Sequence, residues 1–435
     1  MDLRGAPLED LVSEAISMPA GTDAGETRPA CRLCSAPLER TFVDLGASPL
    51  ANSYLTHAQL LSGEVFYPLC VYVCEHCLLV QLPQAASPEE IFSDYAYFSS
   101  YSDSWVDHAR RYVAMAIERF DLGAGSQVVE IASNDGYLLQ FFQGAGVPVL
   151  GVEPAANVAE VAREKGIRTE VAFFGAETGS RIAASGTAAD LALGNNVLAH
   201  VPDCHDLVEG LRRILKPTGV VTMEFPHLLR LIDERQFDTI YHEHFSYFSL
   251  YTVEQLFAAH QLRLFDVEEL PTHGGSLRIF AAPVTADREP SERLLGLRDR
   301  ERAAGLHTLE GYLGFDEEVR ALKRELLTFL IDAKRDGKTV AAYGAAAKGN
   351  TLLNYCGVRG DLVDYVVDRS PHKQGRFLPG TRIPILGPEH VEETRPDLLL
   401  VLPWNIREEI FEQMAHIRAW GGRFVVPIPE VRLVD

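Results

Sequence analysis

Residues 240–249, IYHEHFSYFS, set two histidines, a glutamate and four aromatic side chains within ten positions. Imidazole and carboxylate groups close together handle protons near neutral pH, and imidazole is also a common metal ligand. Three readings are open: a proton-abstracting site, a metal site, or a buried turn. The metal reading is the weakest of these, because His242 and His244 have no further ligands at suitable spacing nearby.

A separate set of residues does carry a metal pattern. CRLC supplies Cys31 and Cys34, and CEHC supplies Cys74 and Cys77. Each C-x-x-C turn presents two thiolates, and two such turns close a tetrahedron around zinc. Redox C-x-x-C motifs occur singly beside a strand–helix–strand unit, whereas these two precede any such unit. Four thiolates leave no open coordination position, so the expected Zn2+ is structural. Cys70 is an alternative ligand at poorer spacing, His76 a bystander, and Cys204 and Cys356 ordinary small apolar residues.

These groups need elements to position them. SPEE at 87–90 reads as a capping box opening a helix, followed by the aromatic, hydroxyl-rich DYAYFSSYSDSW. From residue 127 strands and helices alternate: QVVEIA, then DGYLLQFFQGAG; VPVLGVEP, then NVAEVAREKGI. DLALGNNVLAHVPD follows, then a helix HDLVEGLRRILKPTG ended by Pro217 and Gly219, and the strand VVTMEFP. This rhythm predicts a parallel, doubly wound sheet whose ligands bind at the carboxyl ends of its strands. The IYHEHFSYFS segment falls between VVTMEFP and a helix capped by Thr252 and Gln255, which puts it above that sheet.

Glu130 lies in the first strand and Glu153 ends the second. An acid at the end of the second strand is suited to the two hydroxyls of an adenosine ribose. The first turn, ASNDG, lacks the G-x-G-x-x-G that admits a pyrophosphate. Adenosine without phosphate fits that combination, and the cofactor it indicates is S-adenosylmethionine. Its expected site is residues 130–153 and 195–200.

Residues 286–337 are charge-rich, and Phe315, Val319, Leu322, Leu326 and Phe329 mark one apolar helical face, read as a connecting helix. KTVAAYG, LVDYVVD, DLLLVLP and RFVVPIP then form a second α/β unit. Its first turn, YGAAAKGN, sets glycines and Lys348 at a helix start, a cradle for a diphosphate.

Eight blocks in order, CRLC…CEHC, EIASNDGYLL, GVEP, NVLAHVPD, YHEHFSYFS, THGGSLRIF, AYGAAAKGN and LPWNIREEI, resemble the three-domain sugar C-methyltransferases of antibiotic deoxysugar biosynthesis. The resemblance covers about residues 30–435. It implies S-adenosylmethionine-dependent methylation of carbon 3 of a 4-keto deoxysugar nucleotide, dTDP-linked, through an enolate. By the same resemblance His244 is the base, with Glu243 its neighbour in the proton chemistry and Tyr241 a hydrogen-bond donor, while His242 falls at a variable position. Glu130, Asn134, Asp135, Gly136, Glu153, Asn195 and His200 are implied to surround the cofactor. Tyr95, Tyr97 and Lys348 are implied to meet the substrate. The expected fold is α/β: a mobile extension over 1–29, a small zinc-binding domain over 30–88, a Rossmann-like methyltransferase domain over 89–285, a helical connection over 286–337, and a second Rossmann-like α/β domain over 338–435.

Composition removes other classes. With 61 acidic against 40 basic residues and a net charge of −21, the chain repels polyanions, so neither nucleic acid nor an anionic membrane is an expected partner. No apolar run approaches the ~20 residues that span a bilayer, and the acidic start is a poor export signal, so a cytoplasmic location is expected. The expected partner is a small-molecule sugar nucleotide; no protein partner is indicated. An NAD-dependent sugar-nucleotide oxidoreductase or epimerase is the rival reading, disfavoured by the incomplete glycine signature and the lack of Y-x-x-x-K. A non-enzymatic zinc adaptor is disfavoured by two α/β units and YHEHF.

Overall fold

The computed structural model describes residues 29–85, 99–101 and 103–435. Tyr95, Tyr97, the capping box at 87–90 and the extension before residue 29 lie outside the described residues.

The N-terminal module is a four-stranded sheet: β1 (Arg40–Ser48), β2 (Tyr67–Val73) and β3 (Val80–Gln81), closed by β9 (Ser246–Tyr247) from far along the chain. β3 pairs antiparallel with β9, Val80 opposite Tyr247 and Gln81 opposite Ser246. The two cysteine knuckles fold at one end of this sheet.

The central unit opens with α1 (Asp103–Phe120), whose Ala109, Tyr112, Val113 and Ala116 are buried at the i, i+3, i+4 spacing of a packed face. There follow β4 (Val128–Ile131), α2 (Leu139–Gly144), β5 (Val149–Val152), α3 (Ala156–Glu164), β6 (Thr169–Glu170), α4 (Ala176–Ala184), β7 (Ala189–Asn195), α5 (Cys204–Ile214) and β8 (Leu215–Pro226). After α6 (Leu228–Asp233) and α7 (Leu250–Ala258), an antiparallel pair, β10 (Leu262–Leu270) and β11 (Ser276–Pro283), completes a seven-stranded sheet in the order β10-β11-β8-β7-β4-β5-β6. β4 to β8 are mutually parallel, and β4 is buried on both faces, as a central parallel strand must be. Two sequence expectations shift. α5 stops at Ile214, and Pro217 and Gly219 belong to β8, in the break of register between its Leu215 and Val220 pairings, where a missing N–H costs least. α7 is capped by Ser249, whose hydroxyl takes the Thr252 N–H, rather than by Thr252 and Gln255.

Helices α8 (Glu292–Ala303) and α9 (Phe315–Arg335) lead to the last unit. α9 buries Phe315, Val319, Leu322, Leu326 and Leu330, with Phe329 only partly covered. The last unit holds β12 (Val340–Tyr343), α10 (Ala347–Cys356), β13 (Val366–Val367), β14 (Ile385–Leu386), α11 (His390–Thr394), β15 (Leu398–Val401), α12 (Arg407–Gln413), β16 (Arg423–Val426) and β17 (Arg432–Val434). Its sheet order is β14-β13-β12-β15-β16-β17, parallel except for β17.

The N-terminal module belongs to two cores at once. Phe42, Val71 and Val80 pack with Phe315, Leu326 and Leu400 of the C-terminal half, and Phe42 stacks on Phe315 at 4.7 Å. Cys31, Cys74 and Leu79 pack instead with Val208, Phe248 and Leu256 of the central unit. No helix among the described residues is long and apolar enough to cross a membrane.

Candidate active site

Both α/β sheets turn the carboxyl ends of their strands toward one cleft of about 1090 Å³. Each contributes at its topological switch point, between β4 and β7 and between β12 and β15, where a doubly wound sheet opens a crevice.

At the central-unit end, the turn after β4 takes left-handed backbone at Ala132 (φ 55°), Asn134 (φ 50°) and Gly136 (φ 74°). The positive φ favours glycine at 136, and a Cβ there would also press on the Ile167 side chain. Glycine-like geometry thus runs through a turn whose sequence shows one glycine, and such backbone collects at functional sites. Glu153 is buried beside it, its two carboxylate oxygens accepting the Asn134 and Ala155 N–H groups at 2.9 Å each. Burial raises its pKa against those two hydrogen bonds. Asn134, Glu153, Asn195 and His200 line the cleft, with Trp105, Tyr137 and Phe174 as aromatic wall. Glu130, Asp135 and Gly136 sit behind that wall. Glu130 is sealed within β4, one oxygen without a partner among the described residues, and burial, then Glu153 and Asp135, push its pKa well up. Asp135 is held by Lys165 at 3.0 Å and by Ser100. They shape the turn and do not face the cleft.

The histidine-rich segment is clamped on both sides. The Phe245 N–H donates to the Ala199 carbonyl at 2.7 Å, and the Leu82 N–H donates to the Phe245 carbonyl at 3.0 Å. His244 Nδ1 is 2.7 Å from the Thr239 carbonyl, which accepts its proton and leaves Nε2 as the basic nitrogen. The ring lies 4.0 Å from that of Tyr241 and 4.7 Å from that of His200. Burial, then the neighbouring His200, lowers the His244 pKa well below the usual histidine range, with His273 and Lys348 adding to it. Burial also brings His200 down to about 4. Glu243 accepts a 2.6 Å hydrogen bond from Asn52 Nδ2, and burial lifts its carboxyl to about 7. His242 is occupied elsewhere, with Nε2 3.2 Å from the Pro68 carbonyl and its ring edge-on to Tyr67.

At the C-terminal end, Gly344 (φ 92°) turns the chain out of β12 where a Cβ would strike Pro403. α10 begins here with no side-chain cap, and Lys348 stands in its first turn. Its ammonium donates to Asn405 Oδ1 at 2.9 Å and lies 4.9 Å over the Trp404 ring. Trp404 Nε1 donates to Asp238 at 2.7 Å. Burial lowers the Lys348 pKa, opposed by Asp238, and burial raises Asp238 to about 6. Lys373 and Arg376 join Lys348 on this wall, and Lys373 donates to the Ala345 carbonyl at 2.9 Å.

The four predicted zinc ligands do converge. Their sulfurs all lie within 4.8 Å of one another, with Cys31–Cys77 and Cys34–Cys74 at 3.5 Å. Tetrahedral zinc with ~2.3 Å bonds needs sulfurs roughly 3.8 Å apart, so the quartet fits the ion. Among the described residues it is the one cluster able to hold a metal; His242 and His244 belong to none.

Sequence reasoning missed Asn52, Tyr54, Asp238, His273 and Trp404. Asn52 and Tyr54 sit in SPLANSYL, which signals a turn and nothing more. His273 has left-handed backbone (φ 55°), and its Nε2 is 2.8 Å from the Asn196 amide, a pairing that only the fold creates.

Family models match three stretches of the chain: a zinc-binding-domain model residues 31–92, a methyltransferase domain residues 105–267, and a C-methyltransferase C-terminal domain residues 271–429. The C-methyltransferase NovU of Streptomyces niveus is 41% identical over 408 residues, covering 93% of this chain and 96% of NovU. An uncharacterized methyltransferase of Mycobacterium leprae (strain TN) is 31% identical over 101 residues, 23% of this chain and 37% of its own length. Among solved structures, the PH0226 protein of Pyrococcus horikoshii OT3 aligns with 45% of this chain and 97% of its own at 15% identity, with a TM-score of 0.35.

Proposed function

This chain belongs to the C-methyltransferase family that includes NovU, and from that premise we propose that it methylates carbon 3 of a 4-keto deoxysugar nucleotide, dTDP-linked, in the cytoplasm. The donor is S-adenosylmethionine, and the proposed step passes through an enolate. The observation that carries the reading is the polarity of the cleft. From the central unit Glu153, Asp203 and Asp206 line the cleft with His244, and from the C-terminal unit Lys348, Lys373 and Arg376. In a chain of net charge −21, a cationic wall beside an uncapped helix N-terminus suits a diphosphate.

S-adenosylmethionine, when bound, supplies an electrophilic sulfonium methyl. Glu153 would hold its ribose, with Asn134, Asn195 and His200 alongside. The neighbouring ketone acidifies the carbon-3 hydrogen. His244 Nε2 takes that proton, and the C–H pair becomes the enolate. With the donor held there, its methyl would be open to carbon 3 of the enolate, the methyl–sulfur electron pair going to sulfur. The Thr239 carbonyl keeps His244 in the receptive tautomer, and burial keeps it neutral. Tyr241, ring against ring with His244, offers its hydroxyl to the sugar. Glu243 is suited to a sugar hydroxyl or the relayed proton. The test is incubation with labelled S-adenosylmethionine and a panel of 4-keto sugar nucleotides. Label entering carbon 3 of one member is the expected result. Label entering none, or only an oxygen, overturns the reading.

A further inference from the structure

The loop that follows β1 leaves the N-terminal module and fastens to the C-terminal half. Leu55 and Phe377 exchange two backbone hydrogen bonds of 2.9 Å, and the Tyr54 hydroxyl donates to the Ala345 carbonyl at 2.6 Å. Glu64 takes the Gly380 N–H at 2.7 Å and Arg382 Nε at 3.0 Å. The loop is therefore held by contacts that do not involve Asn52. Asn52 stays exposed on the cleft wall, its Oδ1 3.2 Å from the Tyr54 hydroxyl and its Nδ2 2.6 Å from Glu243. An ionised carboxylate only accepts, which matches the amide orientation with nitrogen toward Glu243.

We propose that Asn52, carried into the cleft by the zinc-binding module, is a positioning residue for the methyl-transfer reaction: its amide holds the Glu243 carboxylate in place beside His244 and Tyr241. Three parts of the chain then complete one proton-handling site. The central unit supplies His244 and Glu243, the C-terminal half anchors the loop through Ala345 and Phe377, and the zinc module supplies the amide. The role in turnover rests on the sugar-nucleotide reading above, whereas the Asn52–Glu243 bond does not.

Two variants of the full-length, zinc-loaded protein test this. Asn52→Asp keeps the shape and replaces the donor with a second carboxyl; Asn52→Ala removes the group. The Glu243 carboxyl is titrated by difference infrared spectroscopy without substrate, with Glu243→Gln identifying its band. In both variants the protonated band should persist to higher pH than in wild type, further for Asn52→Asp, because a like charge adds to the lost hydrogen bond. With whichever 4-keto sugar nucleotide is turned over, kcat should fall about tenfold or more, the acid limb of its pH profile moving upward with the band. Zinc content and donor affinity should stay unchanged. An unmoved band overturns the proposal whether or not a substrate is found. A moved band with wild-type kcat and pH profile overturns the role in the reaction. Loss of zinc or of folding in both variants makes Asn52 structural and also overturns it.

Discussion

Glu153 offers the sharpest test of the donor site, because its hydrogen bonds can be counted. Each carboxylate oxygen accepts one backbone N–H, from Asn134 and from Ala155, at 2.9 Å. A carboxylate has about four acceptor positions, so two remain for the hydroxyls of a ribose. Hydrogen bonds to a charged group contribute roughly 1.5–3 kcal/mol, so losing this acceptor should weaken binding by roughly 10- to 150-fold. Glu153→Ala also leaves the Asn134 and Ala155 N–H groups unpaired in a buried site, at about 1–3 kcal/mol of stability. Asn134 holds left-handed backbone, so the turn should loosen as well. Glu153→Gln keeps one acceptor and points an NH2 at the other backbone donor, so it should bind better than the alanine variant and worse than wild type. Burial raises the Glu153 pKa, so wild-type affinity should fall as acid protonates the carboxylate, and the glutamine variant should lack that fall. Calorimetry with S-adenosylhomocysteine, run beside thermal unfolding, reads both effects. Affinity within twofold of wild type in both variants, in folded protein, would refute the ribose assignment.

His244→Gln should bind both ligands and lose ~10²–10⁴ in rate; deuterium wash-in at carbon 3 without the donor should vanish with it, and normal exchange would move the base elsewhere. Burial holds the Glu243 carboxyl at about 7, so activity needing its carboxylate should rise through that pH, and a Glu243→Gln profile still bending there would exclude it as the source. Cys34→Ser should lose the zinc, read by elemental analysis, and lower the thermal midpoint; full metal content would contradict the quartet. Lys348→Met should raise KM for the nucleotide substrate about tenfold or more while altering donor affinity little, whereas an unchanged KM would remove the diphosphate from α10.

Legibility from sequence followed the range of the interactions. The cysteine pairs are local turns, and repeating the motif made zinc readable from Cys31 to Cys77. The parallel sheets were readable because consecutive buried residues such as 128–131 have no other stable arrangement in a strand–helix alternation. That Glu153 lines the cleft was readable because strand ends in such sheets face the crevice. Glu130 and Asp135 were expected beside the cofactor, yet burial within β4 and the Lys165 ion pair hold them off the cleft lining. β9 escaped notice because two residues in FSYFS have no strand pattern until β3 arrives beside them. Pairs such as Asn52–Glu243 and Trp404–Asp238 join residues more than 160 positions apart, and nothing in local composition encodes them.

The concentration of chemistry in residues 240–249 has a mechanical counterpart. If His244 is the base, as proposed, its loop needs rigid support, since a misplacement of ~1 Å can cost ~10²-fold in rate. Its own unit supplies one support, through the Ala199 carbonyl and Thr239. The zinc module supplies a second: β3 pairs with β9, and the Arg32 guanidinium, between the first two cysteines, donates to the Leu82 carbonyl at 2.7 Å and lies 5.4 Å over the Phe245 ring. Gln81 ties the same strand to the knuckle, accepting the Arg32 N–H at 2.9 Å and donating to Cys31 Sγ at 3.1 Å. The cysteine turn thus carries Arg32 and Gln81 to the segment that holds His244, the proposed base, and zinc bound there would fix that turn. Arg32→Ala separates this role from metal binding, because it leaves all four thiolates in place. It should keep the zinc and reduce turnover through loss of the Leu82 and Phe245 contacts, while donor affinity measured by calorimetry stays near wild type. Unchanged turnover in the zinc-loaded variant would mean that the knuckle stabilises the fold without positioning His244.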